Sequence, residues 1–513
     1  MYVNNWLTRR EQLSPNKVAL VDTLHDNRRI TYREWNRQVN RTANFLRERL
    51  QVEKGECVAV LAMNSVEYLD LWFACGKLGA IIQLLNWRLT EHELADLVAD
   101  GAPVVFVYGN EFAPQTEALR PGAKSVRHFV ALDTPLREED VPFSAREGHS
   151  DAESAEVELD WNDPWALCYT GGTTGLPKAA ILTHRSITAN SVNTVMSWGL
   201  TPDDVALLQM PLFHTGGFNV FTAPLVHIGG TSIVCKGFDV EQTFDLIRDE
   251  GVTLFVGVPT MHIMLLQHPR WPEADLSHLK ICGSGGASCP MPVIEKFAER
   301  GVRLFTGYGL TEAGPNTFWL PPEQRARKPG AVGFPLMHID LQVVDDAGEP
   351  CGAEEVGELL IRGPHVCAGY WNKPEETARA ITPEGWLHTG DLAKRDEEGF
   401  YYIVGRLKDM IKSGGENIYP AEVESVLHAH EAVAEAALVG LPDEKWGEVG
   451  GAFVVRRPGA SLTAAELLAF CGERLAKYKI PKQVVFLDAL PQTGAGKIDK
   501  KVLVEEAERV GAA

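Results

Sequence analysis

The amino-acid sequence predicts a multi-domain α/β protein, with a large N-terminal domain of α/β sheets that includes a small β-barrel and a smaller α+β C-terminal domain. Its 513 residues are enough for about three domains at roughly 100 to 200 residues each. Short apolar runs alternate with amphipathic stretches along much of the chain, which is typical of βα units. Hydrophobic residues make up 45% and charged residues 23% of the chain, a globular composition that excludes a disordered or fibrous protein.

Local patterns predict the first elements in order. The segment KVALVD (17–22) is a predicted strand. Thr31 and Glu34 form a capping-box pattern before a stretch with apolar residues at helical spacing. The segment CVAVLA (57–62) is then a buried strand, and Ser65 can cap a second helix. This alternation indicates a mostly parallel sheet.

The N-terminal domain is expected to span residues 1–404. Its remaining part shows two sequence patterns. Strand–helix alternation resumes after Trp165 and runs to about Glu299. The acidic residues 134–160 before it are expected to form an exposed connection. Residues 331–404 are short strands separated by Gly and Pro, which is typical of a small antiparallel barrel or sheet.

A second compact unit is expected at residues 410–513, after a short hinge at 405–409. It alternates helical and strand patterns, as an α+β domain does. Helices are predicted at 420–429 and 462–475, and strands at 433–439, 450–456 and 482–487.

Acidic residues outnumber basic ones, because 49 Lys and Arg stand against 69 Asp and Glu, giving a formal charge of −20. Such a chain has no general field that would attract nucleic acid or anionic lipid. A phosphate-rich ligand would therefore need a local site. Residues 476–501 hold six lysines and two aspartates, a basic run that is either a solvated surface or part of such a site.

The cysteines and the apolar stretches indicate a soluble, cytoplasmic protein. The spacing of the cysteines suggests neither a disulfide framework nor a zinc site. The start, MYVNNWLTRREQLS, lacks the apolar core of a signal peptide. The most apolar long stretch, 68–87, carries Asp70 and Lys77, which a membrane span would normally exclude. The oligomeric state is left open, with a homodimer among the alternatives. The nine cysteines are at 57, 75, 168, 235, 282, 289, 351, 367 and 471.

The segment YTGGTTGLPK (169–178) has the composition of a phosphate-binding loop. Glycines allow close backbone approach to a phosphate, threonines add hydroxyl donors, and Lys178 adds a point charge. The spacing is neither that of a Walker loop nor that of GxGxxG. Composition alone leaves a plain turn as the alternative.

Five motifs in order give the sequence a specific resemblance. After YTGGTTGLPK come GYGLTE (307–312), TGD (389–391), GRLKDMIKSGGENIYP (405–420) and PQTGAGKIDK (491–500). Together they resemble the adenylate-forming superfamily, in particular its acyl-CoA synthetase branch, over nearly the whole chain. The phosphate loop departs from the usual pattern at Gly171, where a serine hydroxyl is missing, and at Ala179.

The resemblance implies roles in forming an acyl adenylate from a carboxylic acid and ATP. Lys497 resembles the catalytic lysine, which screens the repulsion between two anions. Glu312 resembles the Mg²⁺ ligand, next to Thr311, and His214 the group that gates the acyl site. Further ATP-binding residues are Thr170, Gly171, Gly172, Thr173, Thr174, Gly175, Lys178, Gly285, Gly286, Ala287, Gly307, Tyr308, Gly309, Thr311, Asp391 and Arg406.

Transfer of the acyl group to CoA needs a second pose. In the superfamily the C-terminal domain rotates about one hinge residue, which is Lys408 here. Gly414 and Gly415, followed by Glu416, would let the pantetheine arm of CoA pass, and Lys412 would face the active site in that pose. The alternative is a Gly-Gly hairpin turn with a surface lysine.

The acyl pocket is expected around PLFHTGGF (211–218). Phe213, His214 and Phe218 would line it, while Gly283 and Gly314, like the glycines of this segment, would leave room. No arginine is obviously placed to bind a second carboxylate, which favours an apolar acyl or aryl chain.

The sequence thus predicts an ATP-dependent acyl-CoA synthetase acting on a medium- or long-chain fatty acid. An aryl acid of the cinnamate or benzoate kind is the alternative substrate. Two other hypotheses are an adenylating enzyme that loads a carrier protein, which the chain end 16 residues after Lys497 and the segment GGENIYPAEVE disfavour, and an inactive nucleotide-binding module.

Overall fold

A computed structural model describes residues 5–153, 157–170, 177–287, 289–492 and 498–511. The helices are α1 Trp6–Leu13, α2 Tyr32–Asn44, α3 Val66–Leu78, α4 Glu91–Gly101, α5 Ala113–Leu119, α6 His184–Trp198, α7 Thr215–Gly217, α8 Ala223–Ile228, α9 Val240–Asp249, α10 Pro259–Gln267, α11 Met291–Glu299, α12 Pro374–Ala380, α13 Pro420–His428, α14 Ala464–Gly472 and α15 Lys500–Gly511.

The strands are β1 Val18–Asp22, β2 Arg28–Thr31, β3 Cys57–Leu61, β4 Ile81–Leu84, β5 Val105–Tyr108, β6 His128–Ala131, β7 Val141–Pro142, β8 Pro164–Thr170, β9 Lys178–Thr183, β10 Val205–Leu208, β11 Thr231–Val234, β12 Leu254–Gly257, β13 Ile281–Ser284, β14 Phe305–Thr306, β15 Phe318–Trp319, β16 Phe334–Pro335, β17 Asp340–Val344, β18 Gly357–Arg362, β19 Leu387–Arg395, β20 Tyr401–Arg406, β21 Ile411–Ser413, β22 Glu416–Ile418, β23 Val433–Asp443, β24 Gly447–Arg456 and β25 Gln483–Leu487.

Two seven-stranded sheets form the larger part of the molecule. Their strand orders are β14-β13-β12-β10-β11-β1-β2 and β7-β6-β5-β3-β4-β8-β9, and only the edge strands β2 and β9 run antiparallel to their neighbours. One apolar core joins residues of both sheets to residues of helices α2, α3, α6 and α8. The predicted α/β class is therefore confirmed.

Local signals placed several elements correctly. Thr31 and Glu34 form the reciprocal capping box of α2. Ser65 accepts a hydrogen bond from the Tyr68 amide and caps α3. The strand predicted at 57–62 is β3, and the five elements predicted beyond residue 419 correspond to α13, β23, β24, α14 and β25.

The region predicted to be barrel-like, 331–404, is described throughout and contains an open sheet. Its strands have the linear order β17-β18-β19-β20, and Tyr401 forms a bridge with Gly333, the residue that precedes β16. Strand β20 continues to Arg406, so this sheet extends into the segment 405–409 that was expected to form the hinge.

The C-terminal region has its own sheet, ordered β22-β21-β24-β23 with β25 parallel to β24. Helices α13 and α14 pack on one apolar cluster of this sheet, and α15 contributes to a second. Among the described residues all nine cysteines are free. In the same part of the chain, no helix has the length and apolar character that crossing a membrane requires.

The acidic segment 134–160 is less exposed than its composition suggested. Phe143 is buried in the main core, and the Arg146 guanidinium donates to the Asp70 carboxylate and the Thr42 hydroxyl. Trp35 donates to the other Asp70 oxygen. Burial raises the pKa of Asp70 to about 6, although Arg146 opposes that shift. An ion pair thus fastens this segment to α3.

Replacing Arg146 with Met should leave the buried Asp70 carboxylate without its cation and lower the free energy of unfolding by about 3–5 kcal/mol at pH 8. The folded-state pKa of Asp70 is about 6, above its ordinary value of 3.8. Ionisation of Asp70 therefore already lowers the free energy of unfolding of the unaltered chain as pH rises from 3.8 to about 6. Without Arg146 the pKa rises further. The loss measured by urea unfolding should therefore be smaller at pH 5 than at pH 8.

The matched control for this experiment is Arg137→Met, which breaks an exposed pair with Glu117. That variant should unfold at nearly the same urea concentration as the unaltered chain at both pH values. Equal losses for Arg146→Met at pH 5 and pH 8 would show that Asp70 is not the group left unpaired.

Candidate nucleotide and acid site

The antiparallel strands β8 and β9 bracket the predicted phosphate loop. Thr170 is paired with Lys178 across this hairpin, and its hydroxyl donates to the Lys178 carbonyl oxygen at 3.3 Å. The Lys178 ammonium forms an ion pair with Glu376 and lies 5.2 Å from the centre of the Tyr370 ring. The predicted loop residues Gly171, Gly172, Thr173, Thr174 and Gly175 lie outside the described residues.

Glu312 lies in a short 3-10 turn, Thr311–Ala313. Its carboxylate accepts a 2.9 Å hydrogen bond from the Tyr370 hydroxyl, and its backbone oxygen accepts one of 2.7 Å from the Cys367 amide. Burial, with the Glu312 charge adding to it, raises the pKa of Tyr370. The phenol therefore stays protonated and acts as the donor. Thr311 itself is buried.

Tyr308, Asp391 and Arg406 come together although they are distant in sequence. The Tyr308 hydroxyl donates to Asp391 at 2.7 Å. Asp391 and Arg406 are register partners on β19 and β20, with Arg406 Nε 3.7 Å from Asp391 Oδ1. Burial raises the pKa of Tyr308 well above its ordinary value, and Asp391 adds to the shift. This cluster combines an acceptor carboxylate with a forked donor, which suits a diol.

The glycine loops at 285–287 and 307–309 follow the carboxyl ends of the adjacent parallel strands β13 and β14, and β12 lies on the other side of β13. The Gly285 amide donates to the Gly257 carbonyl, and the Gly307 amide to the Ser284 carbonyl. Gly286 has φ +77° and is exposed, as is Ala287. Ligands of open α/β sheets bind in the crevice outside such strand ends.

One glycine of these loops is required for close packing. A Cβ at Gly309 would lie 2.2 Å from the Pro315 carbonyl oxygen. Gly309 therefore allows the loop that carries Tyr308 and Glu312 to fold back on itself.

The residues predicted to line the acyl pocket separate into two groups. Phe213 is buried in the main core and packs edge-on against Trp87, whereas His214 is half-buried and caps α7 by accepting from the Gly216 amide. Phe218, in contrast, is completely buried and stacks on Trp72 at 4.1 Å. We therefore interpret Phe218 as a core residue.

Three of the four glycines that were expected to leave room are closely packed, whereas a Cβ at Gly216 would meet only ordinary contacts at 3.5 Å or more. A Cβ at Gly217 would lie 2.3 Å from the Pro211 oxygen, one at Gly283 2.7 Å from the Phe305 ring, and one at Gly314 2.7 Å from Asn190 Oδ1. Neighbouring atoms occupy the space that a side chain at each of these three positions would take. At these three positions the missing side chain therefore does not by itself provide open space.

In the C-terminal region, the predicted CoA-facing residues lie on a tight hairpin. Gly414 and Gly415, with φ +60° and +90°, join β21 to β22. A Cβ at Gly414 would meet the Trp446 ring at 2.5 Å. The Lys412 amide donates to Glu448, and the side chains of Lys412 and Glu416 are exposed.

The hinge candidate Lys408 is exposed in a 3-10 turn, Leu407–Asp409, between two sheets. The catalytic candidate Lys497 lies outside the described residues. Sequence reasoning missed Tyr370 and Glu376, which contact Glu312 and Lys178. Both lie within residues 331–404, which were interpreted only as short strands, and no motif used in the sequence analysis includes them.

Family models match most of the chain. The model for AMP-binding enzymes matches residues 7–371, and that for the C-terminal domain of AMP-binding enzymes matches residues 422–497.

Curated relatives and solved structures are similar to the chain over almost its full length. A feruloyl-CoA synthase of Amycolatopsis sp is 40% identical over 97% of each chain. An indoleacetate–CoA ligase of Aromatoleum aromaticum is 39% identical over 98% of this chain and 97% of its own. The long-chain-fatty-acid–CoA ligase FadD13 of Mycobacterium tuberculosis is 36% identical over 98% of each.

Among solved structures, ATP-bound MatB from Rhodopseudomonas palustris has a TM-score of 0.91 at 32% identity, covering 99% of this chain and all of its own. The anthranilate CoA ligase AuaEII with anthranoyl-AMP has a TM-score of 0.93 at 28% identity, covering 100% and 98%. The chain therefore belongs to the AMP-binding enzyme family of the adenylate-forming superfamily and is an AMP-forming acid–thiol ligase.

Proposed function

We propose that this ATP-dependent CoA ligase acts on an aromatic carboxylic acid. The observation that carries the proposal is the order of identities, since relatives named for ferulate and indoleacetate are 40% and 39% identical, and one named for long-chain fatty acids is 36% identical. The aryl alternative thus takes precedence over the fatty-acid prediction.

The packing around the expected acid pocket supports a compact substrate. Gly217, Gly283 and Gly314 are filled in by neighbouring atoms, so they provide no channel for a long alkyl chain. Phe213, which precedes His214, is buried and packs edge-on against the half-buried Trp87. Aromatic rings prefer such edge-to-face and offset contacts with other rings.

In the first half-reaction the acid carboxylate attacks the α-phosphorus of ATP, releasing pyrophosphate and leaving an acyl adenylate. Lys178 and Lys497 are the cations proposed to balance the phosphates and the attacking carboxylate. The cluster of Tyr308, Asp391 and Arg406 is proposed to hold the adenosine, with the carboxylate and guanidinium on the ribose hydroxyls.

Glu312 fits a magnesium ion that arrives with the nucleotide. Among the described residues, no three His, Cys, Asp or Glu side chains are grouped to hold a metal by themselves. Mg²⁺ is usually bound by one or two carboxylates together with substrate phosphates and waters, and the Tyr370 hydrogen bond to Oε1 leaves Oε2 of Glu312 for that purpose. The ion would neutralise phosphate charge.

In the second half-reaction the CoA thiol attacks the adenylate carbonyl and AMP leaves. The hairpin at Gly414–Gly415 is proposed to border the pantetheine path after rotation about Lys408. The alternative acceptor, a carrier protein, would be distinguished by replacing CoA with a phosphopantetheinylated carrier in the same assay.

The substrate class can be tested with a panel of acids. Ferulate, indoleacetate and benzoate should be converted to thioesters with kcat/KM at least about tenfold above those of decanoate and palmitate, because a compact pocket excludes long chains. The measurement is thioester formation by chromatography with fixed Mg·ATP and CoA. Higher kcat/KM for palmitate than for every aromatic acid would contradict the proposal.

Replacing Lys497 with Ala should slow adenylation by roughly 10²-fold or more, the effect expected of one lost transition-state donor. Thioester formation from a supplied acyl adenylate should be largely retained. Lys482→Ala, which removes an exposed lysine of the same region, is the control and should leave both steps unchanged. Equal loss of both steps in Lys497→Ala would rule out the assigned role.

Lys408→Pro tests the hinge without removing a reacting group. Proline fixes φ near −65° and lacks an amide donor, so it should trap one pose and damage the two half-reactions unequally. Lys408→Ala keeps the backbone freedom and serves as the comparison. Both half-reactions would be timed separately by rapid quench. Wild-type rates for both steps in a folded Lys408→Pro would show that residue 408 is not the hinge.

A further inference from the structure

Residues 369–371 connect Lys178 and Glu312, two charged groups of the candidate nucleotide site. Their backbone runs along the edge of β9 that faces away from β8, where the Ile181 amide donates to the Gly369 carbonyl and the Trp371 amide to the Ala179 carbonyl, both at 2.9 Å. Tyr370 forms a bridge with Ala180. Tyr370 is therefore fixed beside the strand that begins with Lys178.

The Tyr370 side chain contacts both groups. Its hydroxyl donates to Glu312 Oε1 at 2.9 Å, while its ring lies 5.2 Å from the Lys178 ammonium. A carboxylate has about four lone-pair positions on its two oxygens. One phenol donor can therefore hold Glu312 in a fixed orientation and still leave the other oxygen for a ligand.

Glu376, in the first turn of α12, pairs with the Lys178 ammonium. The side chains of Lys178 and Glu376 are 29% and 32% exposed, so the pair faces an accessible space. Lys178 lowers the pKa of Glu376, which keeps that carboxylate ionised. A carboxylate thus occupies the position around Lys178 that an anionic ligand oxygen would take.

We propose that the Tyr370–Glu376 segment regulates entry to the nucleotide site through these two contacts. Glu376 competes with the ATP phosphates for Lys178, and Tyr370 positions the Glu312 carboxylate for the metal ion of Mg·ATP. The inference rests on the proposed role of Lys178 in binding ATP. It concerns the nucleotide only and is independent of which acid the enzyme uses.

Because Glu376 competes with ATP for Lys178, removing the Glu376 charge should tighten the binding of Mg·ATP. A purely structural role of Glu376 would not produce tighter binding. Glu376→Gln keeps the shape and removes the negative charge, so Mg·ATP should bind about two- to fivefold more tightly, the range of a partly exposed ion pair. The gain should shrink as salt is raised. Glu375→Gln is the matched control, since Glu375 is 87% exposed and 3.7 Å from Arg379.

Binding would be measured by titration calorimetry of the full chain with Mg·ATP, without acid or CoA. If Lys178→Ala weakens binding while Glu376→Gln gives no tightening beyond Glu375→Gln, the competition is disproved and the role of Lys178 stands. If Lys178→Ala binds as tightly as the unaltered chain, the proposed role of Lys178 fails as well, and the inference falls with it.

Tyr370→Phe tests the positioning contact, because it keeps the ring near Lys178 and removes only the hydroxyl. The Mg²⁺ concentration for half-maximal adenylation should rise by about tenfold or more, as for other residues that orient a metal ligand. The thermal midpoint should change little. An unchanged Mg²⁺ dependence in a folded Tyr370→Phe would overturn this part of the proposal.

Discussion

Strand β9 is hydrogen-bonded along both edges, and the geometry of the site depends on this. One edge pairs with β8 in an antiparallel hairpin, and residues 368–371 cover the other. An uncovered edge strand would expose unpaired donors and acceptors. Here the covering segment also receives the Glu312 loop, since the Cys367 amide donates to the Glu312 carbonyl. Three distant parts of the chain thereby meet beside β9.

The same arrangement accounts for an anion-binding site on a chain with a formal charge of −20. Attraction cannot come from the overall field, so it must come from cations at short range. Among the described residues, three charged groups of the site have partners of suitable chemistry: Lys178 has Glu376, Glu312 has Tyr370, and Asp391 has Tyr308 and Arg406. Such pairs preserve the geometry of the site between turnovers.

The features predicted correctly from the sequence are those that depend on neighbours in the chain. The capping box of Thr31 and Glu34 and the Ser65 cap involve residues three apart, and buried strands such as β3 show as apolar runs. The pair of Lys178 and Glu376 spans 198 residues. Its formation depends on how two separate elements pack, and a single sequence carries no local sign of it.

Glycine was the residue type whose role could not be judged from sequence. A missing side chain leaves a space, but whether a ligand or a neighbouring atom fills it depends on the fold. Neighbouring backbone fills the position beside Gly217, whereas a Cβ at Gly415 would meet nothing within 4 Å. Only the second arrangement provides open room.

The loops expected to bound the acid pocket are joined by buried amides, which limits how far the pocket can adapt. Asn190 on α6 donates to the Asn219 carbonyl at 2.7 Å, and Asn316 donates to the Val220 carbonyl at 3.0 Å. Breaking such a network would leave buried polar groups unpaired, which is costly. These hydrogen bonds join the segment after His214 and the segment after Glu312 to α6. We propose that a pocket with walls held in this way selects its substrate by shape, which would favour a planar acid over a flexible chain.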